Sequence, residues 1–217
     1  MTVFAVRRWP IWALVAVLVV GAVVTGAWWK PWQSVKLPQS ACWGALTKGD
    51  YKMLAGDDGT ALLSTLGSID GPYPGSYPTQ QCDLSWNTSH HPILTVSITP
   101  TTQNKAPKQI QLLDGGAAEP VDFGADAAGW IGTGSASVVD LYLTCDYRQA
   151  ASLDIFVEPY VEITVAAGAG GITSASPVEV RQAIAAISLK LAKAVVQRIP
   201  CSNAVRLADH VPSVPLG

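Results

Sequence analysis

Charge is what this 217-residue chain has least of: 14% of its residues are Asp, Glu, Lys or Arg, against about 25% in an average soluble protein. With hydrophobic types at 49%, so little charge excludes a disordered tail or a coiled coil. The 14 basic and 16 acidic residues leave a net charge of −2. No run of Lys or Arg supplies the basic footprint of a nucleic-acid binder, so nucleic acid is not expected as a partner. Motifs are missing as well. There is no Gly-x-Ser-x-Gly elbow for a serine hydrolase, and Gly132-Thr-Gly-Ser-Ala-Ser137 lacks the lysine of a phosphate loop. Of the three histidines, His90 and His91 are adjacent and point to opposite faces of an extended chain, while His210 stands far away. The carboxylates are too scattered to nominate an acid and base pair. No catalytic residue, metal site or cofactor is therefore expected, and the chain reads as no enzyme.

Part of the charge deficit lies in one long stretch. From Trp9 to Trp29 run 21 residues without a charge, which as a helix span roughly the 30 Å of bilayer hydrocarbon. Arg7 and Arg8 precede the run, and a positive flank stays on the cytoplasmic side. Trp9 and Trp12 at one end and Trp28, Trp29 and Trp32 at the other suit the membrane interfaces. The expectation is a cytoplasmic N-terminus over 1–8, a single transmembrane helix over 9–29 in contact with the lipid bilayer, and everything later outside the cytoplasm. A cleaved signal peptide is the competing reading, for which Thr25-Gly26-Ala27 is a poor cleavage site. Three of the 14 basic residues (Arg7, Arg8, Lys30) precede Ser34 and all 16 acidic ones follow it, so the exported part carries −5. It should not adhere by charge to anionic lipid or wall polymers.

All four cysteines, Cys42, Cys82, Cys145 and Cys201, lie in that part. An even number in an oxidising compartment reads as two disulfides. The spacings hold no Cys-x-x-Cys pair for a metal. Cys82-Asp83 precedes Leu94-Thr-Val-Ser-Ile-Thr-Pro100 much as Cys145-Asp146 precedes Leu153-Asp-Ile-Phe-Val-Glu-Pro159. If that echo marks two similar hairpins, the natural pairing is Cys42–Cys82 with Cys145–Cys201. Four cysteines allow three connectivities, and sequence leaves the choice open.

Residues 30–41 hold two prolines and read as a stalk, with the folded domain over 42–201 and a loosely held tail over 202–217. Thr47-Lys-Gly-Asp50 is a helix-start pattern, closed by Leu54 and Gly56. A short strand or helix is expected around Ala61 to Leu66, ahead of the loop Gly71-Pro-Tyr-Pro-Gly-Ser-Tyr-Pro78. Cys82–Trp86 and Ile93–Ile98 alternate apolar and polar residues and predict a hairpin. Further strands are expected over Ser137–Tyr147 and Leu153–Ala166, the latter with a bulge or bend at Pro159. Ser176-Pro-Val-Glu179 is a capping box opening a helix to Ile199, with Val180, Ile184, Ile187, Leu191 and Val195 on one stripe. Tyr73, Tyr77, Trp86 and Trp130 lie in or beside Gly/Pro-rich loops, where an exposed ring could stack on a sugar or a peptide. They are the candidate ligand contacts.

Cys42, the Thr-initiated short helix ending Leu54-Ala-Gly56, Cys82 with Trp86 close behind and the strand Leu94–Ile98 together resemble a family of small exported actinobacterial proteins of unknown function, many of them lipoproteins. The resemblance covers the first half of the chain only. The chain departs from the family in its longer Cys82-x-x-x-Trp86 spacing, and in an apolar run where the family has a lipid-bearing cysteine. The resemblance implies a compact α+β domain with helices on an antiparallel sheet, and it transfers no catalytic residues.

The fold expected from the sequence is therefore α+β: a transmembrane helix, then an extracytoplasmic antiparallel sheet covered by helices, built from two similar halves if the echo holds. The function expected is a non-enzymatic binding or accessory module for an envelope or membrane protein. The runner-up is a cell-envelope hydrolase with an unrecognised active site.

Overall fold

The computed structural model describes residues 35–56, 59–71, 80–86, 92–102, 117–132, 137–150, 155–168 and 175–214. The membrane segment expected over 9–29 lies outside these residues. Among the described residues no helix is long and apolar enough to cross a membrane.

The strands are β1 (Val35–Lys36), β2 (Ser40–Ala41), β3 (Leu46–Thr47), β4 (Gly59–Leu66), β5 (Gln80–Trp86), β6 (Pro92–Thr101), β7 (Ala118–Asp122), β8 (Ala127–Gly132), β9 (Ser137–Ala150) and β10 (Ile155–Ala167). The helices are α1 (Lys48–Tyr51), prolonged by a 3-10 turn over Lys52–Leu54, and α2 (Pro177–Arg198). Eight strands form one sheet in the order β1-β4-β5-β6-β10-β9-β8-β7, and β2 and β3 make a separate small hairpin. Every neighbour in the large sheet is antiparallel except β1, which runs parallel to β4.

This corrects the expected fold. The sheet is mixed and continuous, and one long helix packs against its centre on β9 and β10 where several helices were expected. The two hairpins are not independent halves, because β6 pairs with β10 over eight residues and fuses them. Nor do their cysteines correspond. Cys82 lies opposite Val96, whereas Cys145 falls at the register shift between Glu158 and Tyr160, where Pro159 cannot donate to the ladder and bends the strand.

Register decides what the sheet buries. Residues opposite one another share a face, so Leu84 with Leu94, Cys82 with Val96, Ile98 with Ile163 and Ile163 with Leu141 build one apolar surface. Onto it α2 lays Ile184, Ile187, Leu191 and Val195, all buried. The helix begins as its capping box requires: the Ser176 hydroxyl accepts from the Glu179 amide, and Glu179 accepts from the Ser176 amide at 2.8 Å. Disulfides Cys42–Cys82 and Cys145–Cys201 tie the β2–β3 turn to β5 and the chain after α2 to β9. With no cysteine left free, they indicate an oxidising, extracytoplasmic compartment.

The flanking segments belong to the fold. Within 35–41, read from sequence as stalk, Leu37 and Ala41 are buried. After Cys201 the chain returns to the sheet, where Arg206 pairs with Asp126 at 2.9 Å and the Ala208 amide donates to the Phe123 carbonyl at 2.7 Å.

Candidate functional site

The two edges of the large sheet are built differently. On β7 the sequence Ala-Glu-Pro-Val-Asp places Glu119, Pro120 and Asp122 along the border. Charges and a proline on an edge strand are what keeps another strand from adding to it. On the other side β4, Gly-Thr-Ala-Leu-Leu-Ser-Thr-Leu, has neither charge nor proline, and the uncharged stretch continues to Ile69.

β1 covers that edge only at its start, pairing Val35 with Gly59 and Lys36 with Thr60. The chain then turns away, because Leu37 is drawn into the core and the Pro38 carbonyl accepts from the buried Tyr51 hydroxyl at 2.6 Å. Among the described residues no strand pairs with the outer edge of Ala61–Leu66, whose inner edge is fully laddered to β5. The far end is sharply defined. Gly67 has φ +74, and a Cβ there would overlap the buried Gln80 side chain, while its carbonyl accepts from the Trp43 indole at 3.0 Å.

Side chains on this strand alternate as the ladder dictates. Ala61, Leu63 and Thr65 share the core face with Trp86, Leu84 and Cys82, and Leu62, Ser64 and Leu66 take the outer face. Ala61 is buried, but Leu62, Leu63 and Leu66 are 55%, 41% and 65% exposed. An open ladder edge flanked by three exposed leucines is competent to receive an extended segment. Backbone hydrogen bonds supply the affinity and alternate side chains the selectivity.

A second cluster occupies the outer face over β8, β9 and β10. The Tyr142 hydroxyl donates to Glu162 at 2.9 Å, the Thr164 hydroxyl donates to Asp140 at 2.9 Å, and the Trp130 ring meets Tyr142 edge-on with centroids 5.8 Å apart. Asp140 is fully buried. Burial pushes the Glu162 carboxyl above the usual range, partly offset by the Tyr142 hydrogen bond, and burial together with Glu162 raises the Tyr142 phenol. The phenol therefore stays protonated and the cluster acts as a polar clamp across three strands. Among the described residues no group of three or more His, Cys, Asp or Glu could hold a metal ion. Elsewhere a groove of about 440 Å³ opens between α1 and the first half of α2, lined by Met53, Ala183, Ile187 and Val211. Asp50 stands at its rim, paired with Lys190. Burial would raise Asp50, but hydrogen bonds from Lys190 and Thr47 outweigh it and hold the carboxyl below its ordinary range.

The aromatic residues singled out from sequence do not converge. Trp86 lies 7% exposed on the core face, Trp130 is half-buried on the outer face, and Tyr73 and Tyr77 lie outside the described residues. Sequence reading passed over Leu62, Leu63 and Leu66, for which the signal was the uncharged stretch Gly59–Ile69. It also passed over Asp140 and Tyr142 on one strand and Glu162 and Thr164 on the next. Their i, i+2 spacing puts each pair on one face of its strand.

No family model, curated protein or solved structure matches the chain. The disulfides and the mixed sheet define a stapled, extracytoplasmic sheet-and-helix domain, in which, among the described residues, the β4 edge beyond Thr60 has no partner strand.

Proposed function

We propose that this protein is a non-enzymatic binding or accessory module of the cell envelope that takes an extended, uncharged protein segment onto the edge of β4. The observation that carries this reading is the contrast between the two sheet edges. β7 is guarded by Glu119, Pro120 and Asp122, whereas β4 beyond Thr60 combines an open ladder among the described residues with three exposed leucines. A net charge of −5 after Gln33 makes a protein strand a better fit than an anionic polymer. The uncharged run 9–29, with Arg7 and Arg8 before it, supports contact with the lipid bilayer, with the N-terminus on the cytoplasmic side. The likeness to small exported actinobacterial proteins is in keeping with an envelope role.

The test is a photo-crosslinking residue placed at Leu63, with a control at Glu119 on β7, in the full chain within the envelope of the producing cell. A protein adduct at Leu63 and none at Glu119 is expected. An absence of adduct at Leu63, or equal labelling at both positions, overturns the reading.

A further inference from the structure

We infer that the segment received by the β4 edge is β4 of a second copy of this chain, running antiparallel and centred on Ser64, so that two eight-stranded sheets join into one. The inference rests on the strand-addition reading above and names its partner. It begins with the sequence of the strand itself. About Ser64 the run Leu62-Leu63-Ser64-Thr65-Leu66 is self-complementary: Leu62 falls opposite Leu66 of the partner subunit, Leu66 opposite the partner's Leu62, and Ser64 opposite itself. Directly opposed side chains on antiparallel strands share a face and touch. The two most exposed leucines among the described residues thus cover one another in pairs. The absence of charge from Gly59 to Ile69 matters in the same way, since a charge near the axis would be brought close to its own copy.

The register also fits the space available. β1 occupies the edge at Gly59 and Thr60, and β4 ends at Leu66 before the bend at Gly67. A partner strand centred on Ser64 ends opposite Leu62 and stops just short of β1. Centred on Leu63, its last residue would fall opposite Thr60, where β1 already sits. Centred on Thr65, the leucine pairs are lost. The other edge explains why association stops at two. Because β7 carries Glu119, Pro120 and Asp122, the large sheet keeps one receptive edge among the described residues, and an interface built from the same patch on both subunits closes on itself and does not propagate.

The experiment uses the full chain purified in detergent, with mass measured by sedimentation and the β4 register probed by a short thiol-reactive crosslinker. The wild-type chain should sediment as a dimer. Ser64→Cys should give roughly tenfold more covalent dimer than Thr65→Cys, because only position 64 meets itself across the axis. Leu62→Lys should yield a monomer. Should that variant not fold, Ser64→Lys, which opposes two like charges at an exposed position, carries the same expectation, and a non-reducing peptide map verifies both native disulfides. A monomeric wild type overturns the inference, as does a dimer indifferent to Ser64→Lys or one that crosslinks equally at 64 and 65. In the photo-crosslinking test an adduct of twice the chain mass supports it. An adduct with a different protein overturns the self-pairing and leaves strand addition standing, and no adduct at Leu63 overturns both.

Discussion

Glu162 is held by two opposed effects: burial disfavours its charge while the Tyr142 hydroxyl donates to it. Burial dominates, so the folded chain binds this proton more tightly than the unfolded chain does. The stabilisation it contributes is complete below the ordinary carboxylate range and is lost as pH rises through the raised folded value. Glu162→Gln keeps an acceptor for Tyr142 and has no charge to bury. The urea midpoint of this variant should therefore exceed that of the wild type by a margin that grows between pH 4 and pH 8. A margin independent of pH would mean that the carboxyl ionises as freely folded as unfolded. Gly124 is constrained by backbone. At φ +123, an added Cβ would lie 2.6 Å from the Ala208 nitrogen and 2.7 Å from the Leu207 Cα. Gly124→Ala should cost about 2 kcal/mol or more, and hydrogen exchange should show the Ala208 amide losing protection as its bond to Phe123 opens. Neither residue stands out in the sequence, because each takes its role from a strand or segment distant along the chain.

Among the elements, α2 was the most legible. Its capping box, its proline at the first position and its apolar stripe are local signals, and each reports a local cause: an orphan amide to satisfy, a fixed φ, a face to bury. Leu191 is fully buried against the sheet, so Leu191→Ala should cost about 3 kcal/mol. The exposed Gln197→Ala should stay within about 0.5 kcal/mol. Equal losses in a denaturant titration would mean that the helix does not bury this stripe. The hairpin β5–β6 and the register shift of β10 at Pro159 were legible for the same reason. β4 was not. Its burial pattern leaves all of Leu62–Leu66 exposed, so it lacks the alternation that marks a half-buried strand and reads equally as helix or strand. The exposure that hid it from sequence is what makes it a candidate surface.

The whole molecule depends on long connections, and its two disulfides close separations of 40 and 56 residues. Removing the longer one with Cys145→Ala/Cys201→Ala should cost about 4 kcal/mol on a chain-entropy account, read as a lower unfolding midpoint. A loss below about 1 kcal/mol would mean that the return of the chain to β9 is secured by its hydrogen bonds alone. By itself the sequence determined what nearest neighbours decide: the strands and helix with clear periodicity, the caps, the bend at the proline, and through the even count of cysteines the oxidising compartment. Tertiary structure alone decided the strand order, the fusion of two hairpins through β6 and β10, the packing of one long helix on β9 and β10, the burial of Trp86 away from Trp130, and, among the described residues, the unpaired edge of β4 beside β1. The physical reason is that these features depend on which distant strands meet and in what register. A pattern of alternating residues says that a strand has a buried face, but not which strand lies at its side.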